Sequence, residues 1–195
     1  PPGERPGGRG AGGLLRDFAR GAGLAVRAQV VNDTVMGGRS DSSVALTPAG
    51  ATFEGTVTRR GGGGFASVRF DPEDVSAFTR LLSEASVIAF TVRCVRGCPA
   101  WKLQLTERGG LFGGGTQWQA DFAAPPQEAR IQVPLSSMTP SFRGRPTGAK
   151  GLRGDALGQV ASFGFMLSFL AADGQESRDF QEGPFALTIA SVEVF

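Results

Sequence analysis

Residues 52–70 read Thr52-Phe53-Glu54-Gly55-Thr56-Val57-Thr58-Arg59-Arg60-Gly61-Gly62-Gly63-Gly64-Phe65-Ala66-Ser67-Val68-Arg69-Phe70. The first seven alternate, with Phe53, Gly55 and Val57 on one side, which is the period of a half-buried β-strand. Four glycines break the run before a second β-like segment at 65–70. The same grammar of short apolar runs separated by glycine or proline repeats at 28–32, 43–46, 87–94, 101–106, 117–122, 129–134, 160–169 and 185–195, about ten strands in all. In the last run the apolar parity shifts between Leu187/Ile189 and Val192/Val194, which predicts a bulge near Ala190 and Ser191. One helix is expected inside the domain, over 72–82, with Asp71 as its cap and Pro72 in its first turn. Many strands and one helix exclude a doubly wound α/β fold and predict an all-β, two-sheet antiparallel jelly-roll sandwich.

Composition agrees with this reading and narrows the chemistry. Thirty glycines and 12 prolines in 195 residues imply many turns, while 15 phenylalanines and a 41% hydrophobic fraction supply a core. Histidine and tyrosine are both absent, which removes Ser-His-Asp and Cys-His catalysis, histidine metal sites and tyrosine acids. No catalytic residue, metal or cofactor is therefore assigned. The net charge of +2 resides in residues 1–23, where Arg5, Arg9, Arg16 and Arg20 outnumber Glu4 and Asp17; residues 24–195 hold sixteen charges of each sign. An electroneutral domain lacks the basic field that nucleic acid requires, so no nucleic-acid partner is expected. The longest apolar stretch, 160–172, is too short to span a bilayer as a helix and contains Ser162, Gly164 and Ser168. The chain opens without Met or a hydrophobic signal core, so it is expected to follow a removed targeting segment or a truncation.

Residues 1–23 are rich in Gly, Pro and Arg and are expected to form a flexible, extended arm before a single domain at 24–195. Leu14, Leu15 and Phe18 lie at helical spacing and could dock as one amphipathic turn. Gly8, Gly10 and Gly13 match the dinucleotide glycine pattern in letters, but no strand precedes them.

Three loops hold the unusual residues. Val31-Asn32-Asp33-Thr34-Val35-Met36-Gly37-Gly38-Arg39-Ser40 reads either as a structured corner with Met36 plugging the core or as a recognition loop presenting Asp33 and Arg39. Gly61 to Gly64 read as a hairpin tip or as a point of close ligand approach, without the Gly-Lys-Ser/Thr of a phosphate loop. Within Pro140-Ser141-Phe142-Arg143-Gly144-Arg145-Pro146, Arg143 is either a clamp onto backbone carbonyls or a partner contact. Cys94 and Cys98 flank a turn and remain open between a bridge and two thiols. Trp101 and Trp118 stand among Lys102, Gln104, Gln117 and Gln119, a mixture that suits a sugar or peptide if the indoles face outward and a core if they do not. Asp71, Glu73 and Asp74 read as a solvated helix start rather than a glycosidase pair.

The motifs VNDTVMGGRS at 31–40, FEG at 53–55, GGGFASVR at 62–69, DVSAF at 74–78, WKL at 101–103, IQVPLSSM at 131–138, PSFRG at 140–144, FGFM at 163–166 and GPFALTIASV at 183–192 occur in order over the domain. Together they resemble the complex I intermediate-associated protein 30 family of mitochondria, plastids and cyanobacteria. The resemblance implies a galactose-binding-domain-like jelly roll and a role without established catalysis in assembling or stabilising large membrane complexes: respiratory complex I, or photosystems among plastid relatives. It carries importance onto Asn32, Asp33, Met36, Gly37, Gly38, Ser40, Gly64, Phe65, Phe142, Arg143 and Gly144. The chain departs from the family pattern at Arg96-Gly97-Cys98-Pro99 and Trp101.

The expected function is a non-enzymatic interaction module, an assembly factor or peripheral subunit that binds protein subunits of an organellar membrane complex, with the chloroplast thylakoid favoured over the mitochondrion. Asn32, Asp33, Met36, Arg39, Phe142 and Arg143 are the expected partner-binding residues, together with the arm. The alternative is a carbohydrate-binding module using Trp101 and Trp118. An enzyme reading would need a nucleotide cofactor held by a partner domain.

Overall fold

A computed structural model describes residues 12–97, 99–109 and 115–195. The ten expected runs appear as β3 (Val26–Asn32), β4 (Asp41–Thr47), β5 (Gly50–Val57), β6 (Phe65–Pro72), β7 (Val87–Arg96), β8 (Ala100–Glu107), β9 (Gln117–Ala123), β10 (Ala129–Pro134), β13 (Val160–Ser168) and β14 (Gly183–Val194). Four further short strands are β1 (Gly13–Asp17), β2 (Ala22–Gly23), β11 (Thr139–Phe142) and β12 (Arg145–Pro146). One sheet runs β10-β7-β14 and continues to β5-β4 along one half of β14 and to β1-β2 along the other; the second runs β12-β11-β9-β8-β13-β6-β3. Every pairing is antiparallel, and the two sheets form the expected jelly-roll sandwich. Among the described residues no helix is long and apolar enough to cross a membrane.

The alternation read at 52–58 is the reason the sheets meet: Phe53 and Val57 are fully buried while Glu54 and Thr56 face out. Three aromatic groups fill the interior. Trp101, Phe53 and Phe185 meet at 5.1–6.1 Å; Phe90, Phe122 and Phe165 at 4.8–6.0 Å; Phe18, Phe70, Phe163 and Phe78 at 4.7–6.1 Å. The expected bulge is present: the β14–β7 register shifts between Ile189 and Ser191, where β14 exchanges its other neighbour from β5 to β1. Gly50 sits against that point with φ +129, and a Cβ there would strike the Ile189 carbonyl.

Two expectations require correction. Residues 13–23, read as part of a free arm, belong to the first sheet: Leu15 is fully buried, Phe18 is 5% exposed and the Phe18 amide bonds the Ala190 carbonyl at 2.8 Å. The half of β14 beyond the bulge needs a neighbour, and Leu14-Leu15 supply a strand rather than a helical turn, since a strand satisfies the open ladder and the core together. The remainder of the expected arm, 1–11, lies outside the described residues. The helix, α1 (Val75–Ser83), begins later than expected. Asp74, not Asp71, is its cap, accepting from the Ala77 amide at 2.9 Å, while Asp71 and Pro72 finish β6. Phe78 and Leu82 turn its apolar face into the core.

Candidate functional site

The 33–40 loop leaves β3 as a single tight turn over Asp33–Met36 that ends at Gly37 in the left-handed region, φ +91. Asp33 is fully buried. Its carboxylate accepts from the Ser40 amide at 2.9 Å, the Ser40 hydroxyl at 2.6 Å, the Gly64 amide at 2.6 Å and the Phe65 amide at 3.3 Å. Ser40 in turn accepts from the Thr58 amide at 3.0 Å. A Cβ at either Gly38 or Gly63 would collide with that carboxylate, which is why glycines flank it from both loops. Burial alone would raise the Asp33 pKa, but the Ser40 hydroxyl and the three amides together outweigh it and hold the carboxyl below its ordinary 3.8. The two glycine-rich segments singled out in the sequence are thus one corner, joined through one carboxylate.

Buried Asp33 cannot itself touch a partner, so its expected role is corrected from contact to clip. Asn32 is likewise structural, its Oδ1 accepting from the Ser42 hydroxyl at 2.6 Å and tying β3 to β4 across the two sheets. The reading of Met36 as a core plug fails in the opposite sense. Met36 is 67% exposed, and Val35, to which composition assigns no role, is 56% exposed. Thr34, Val35 and Met36, which complete the turn whose first residue is held inward, are all exposed, so this apolar pair stands in solvent on a fixed corner. Arg39 is exposed at the same corner and shares with Arg60 a shallow cleft of about 400 Å³. Glu182 lines that cleft but is engaged, accepting from the Thr58 hydroxyl at 2.8 Å and the Arg59 amide at 2.9 Å. That amide, then the hydroxyl and the nearby Arg59 and Arg60 charges, lower its pKa against a small opposing effect of burial.

Phe142 and Arg143 do not join this corner. They lie at the β11–β12 hairpin, on the opposite edge of the second sheet from β3, about 25–30 Å away at the usual strand spacing. They also lie towards the opposite end of the strands: Asn32 pairs with Ala66, whereas the row leading to Phe142 runs Ser141, Gln117, Thr106 and Ser162. Arg143 and Gly144 form a two-residue turn with φ +51 and +77, the type I′ geometry of tight hairpins. The guanidinium rests over the Phe142 ring at 5.3 Å, and no hydrogen bond to a described residue supports the clamp reading. Arg143→Gly is therefore expected to stabilise the fold by about 1 kcal/mol, read as a rise of a few degrees in thermal melting; a fall would restore the clamp.

The tryptophans are also corrected. Trp101 is 2% exposed and packs on Phe53 and Phe185; Trp118 is 8% exposed and donates its indole N–H to Glu107 at 3.0 Å. Strand parity puts both indoles between the sheets and turns Lys102, Gln104 and Gln119 to the outer face. That face is crossed by the 169–182 segment. Its Ala172 amide bonds both Asp121 oxygens at 3.0 and 2.9 Å, Gly174 lies beside Pro146, Arg59 pairs with Glu176 at 2.9 Å and stacks on Phe169. Lys102 is only 4% exposed and donates to Gln119 Oε1 at 3.3 Å. Burial pushes its pKa down to about 8, against the opposing pull of Asp121 and Asp173. Cys98 lies outside the described residues, and with it the question of a bridge to Cys94.

The profile of the complex I intermediate-associated protein 30 family matches residues 17–189. The chain belongs to that family. The match starts inside β1, where the structure places the domain, rather than at residue 24. No curated protein sequence matches the chain. Solved structures with similar folds include the family 11 carbohydrate-binding module from Clostridium thermocellum in complex with a β-1,3-1,4-mixed-linked tetrasaccharide, 15% identical, covering 94% of this chain and 95% of that one at a TM-score of 0.57. An agarase resembles it at 12% identity and a TM-score of 0.52 over 94% of this chain and 24% of its own. A family 30 carbohydrate-binding module does so at 9% identity and a TM-score of 0.50, covering 95% and 98% of the two chains. At these identities the likeness concerns the fold.

Proposed function

We propose that the chain is a non-enzymatic docking module that assembles or stabilises a large organellar membrane complex, complex I or a photosystem, from the membrane surface, with the plastid favoured. Family membership supports the assembly-related role. The observation that carries the docking surface is the Val35–Met36 pair, held out from a corner that Asp33 makes rigid. Two adjacent large apolar side chains, more than half exposed and backed by fixed backbone, lose little entropy on being covered. Arg39 and Arg60 beside them supply orientation through charge. Glycan binding through Trp101 and Trp118 has lost its support, because both indoles face the core.

Blue-native separation of organelle membranes with mass spectrometry across the gel tests the reading. Co-migration with complex I, a photosystem or a subcomplex of either is expected; migration of all the protein near its own 20.3 kDa would contradict it. A Val35→Ser, Met36→Ser double variant should keep its melting temperature, since neither side chain packs inside. It should associate at least about tenfold more weakly, the loss expected on removing a central apolar contact. Unchanged association would move the interface elsewhere.

A further inference from the structure

β3 forms one outer edge of the second sheet, and its ladder with β6 leaves one side open. The Glu73 amide donates to the Ala25 carbonyl at 2.9 Å, which fixes the hydrogen-bonding parity of that ladder. Counting inwards by twos, Arg27, Gln29 and Val31 exchange backbone bonds with Asp71, Arg69 and Ser67. Val26, Ala28 and Val30 then aim both N–H and C=O away from β6. Pro72, which has no N–H to give, stands opposite Val26, in agreement with this parity. No backbone bond links Val26, Ala28 or Val30 to a described residue outside the ladder.

The side chains of the same three residues point towards the core. Val26 and Val30 pack against it yet stay only half-buried, and Ala28 is exposed. β3 carries no proline, lysine or bulge to block an incoming strand, the devices that usually protect an edge. The other edges differ. β2 and β12 are two residues long, β10 ends in Pro134, and β4 begins Asp41-Ser42-Ser43. β3 also leads through Asn32 directly into the Val35–Met36 corner, so the open edge and the exposed apolar pair are continuous.

We propose that β3 accepts an extended segment of the partner as an eighth strand of the second sheet, so that docking is by strand addition and the corner closes one end of it. This rests on the docking function proposed above and names the kind of partner. The open edge offers three donors and three acceptors at alternate residues, a spacing that an extended backbone matches. The segment has apolar residues at alternate positions to cover Val26, Ala28 and Val30, and a carboxylate beside Arg27, which is exposed and forms no ion pair with a described residue.

The test uses the full chain and the membrane complex with which it co-migrates. Hydrogen exchange of the Val26, Ala28 and Val30 amides is expected to be fast in the isolated chain and to slow at least roughly tenfold in the complex. Ala28→Pro removes one outward N–H and leaves the β6 ladder intact, so it should melt like the parent and lose association; Gln29→Pro should unfold the edge itself. An associated chain whose three amides stay unprotected, or an Ala28→Pro variant that melts normally and associates normally, overturns strand addition while leaving the docking function standing. A parent chain that does not associate at all overturns the docking function, and strand addition with it. An isolated chain that is a dimer with these amides already protected assigns the edge to a second copy and overturns the proposal. Should Ala28→Pro fail to fold, exchange in the parent chain decides alone.

Discussion

Asp33→Ala is expected to lower stability by about 3–4 kcal/mol, because it strands several buried donors at once. The Ser40 amide and hydroxyl and the Gly64 and Phe65 amides all converge on that carboxylate, and the space is closed by Gly38 and Gly63. For a chain of this size the loss corresponds to a fall of about 10 °C in thermal melting. Asp33→Asn keeps the shape but turns an N–H₂ towards groups that donate, so it too should destabilise. The sign with pH follows from the lowered pKa. Above 3.8 the carboxylate is ionised folded and unfolded, and its contribution is complete; as the pH falls below 3.8 the unfolded chain takes up the proton first, and the contribution is lost on the way down through the folded value. A parent and an Asp33→Asn variant with the same acid-unfolding midpoint would remove the clip.

Lys102 should impose a slope of the same sign at the other end of the pH range, because its folded pKa is also lowered. Its folded pKa of about 8 lies below the 10.5 of the free side chain, so between these values the unfolded chain holds a proton that the folded chain has released. Stability should therefore rise with pH over that interval, by about 3 kcal/mol in total, and be flat below it, where both states are charged. Chemical denaturation at a series of pH values reads this directly. In Lys102→Met the alkaline rise should vanish and the protein should be more stable at pH 7, because no ammonium has to be buried beneath the 169–182 segment. Asp121 and Asp173 are exposed and stay hydrated without it. A flat profile in the parent would show that the ammonium reaches water.

The fold was legible wherever one face of a strand had to be apolar. Phe53 and Val57 announced β5, and the parity change after Ile189 announced a bulge that proves to be the site where β14 exchanges neighbours. β1 was hidden because only Leu15 and Phe18 of that segment enter the core, and glycine, proline and arginine around them give the composition of a loose arm. β11 and β12 were hidden because a type I′ turn on Arg143-Gly144 lacks the usual Asn or Asp. At the corner, composition marked the two loops that Asp33 joins but not the direction of each side chain. Asp33 is buried by the amides and the hydroxyl that converge on it, and Met36 in the same tight turn is exposed, whereas charge and hydrophobicity taken alone suggest the reverse. The direction of the indoles was not legible, because their polar neighbours in sequence belong to the other face of the same strands. A clearer signal was available in Gly38 and Gly63, since paired glycine segments in two loops point to something that both must approach closely.

The docking corner is most directly tested by photocrosslinking with a diazirine analogue of methionine. The chain has three methionines, and of these Met138 is fully buried, Met166 is partly buried on the outer face of the second sheet and Met36 is 67% exposed. Irradiation of organelle membranes containing the labelled chain should join Met36 to a subunit of complex I or of a photosystem, and Arg39→Glu together with Arg60→Glu should abolish that product. Crosslinks to such a subunit that arise from Met166 and never from Met36 would contradict the account.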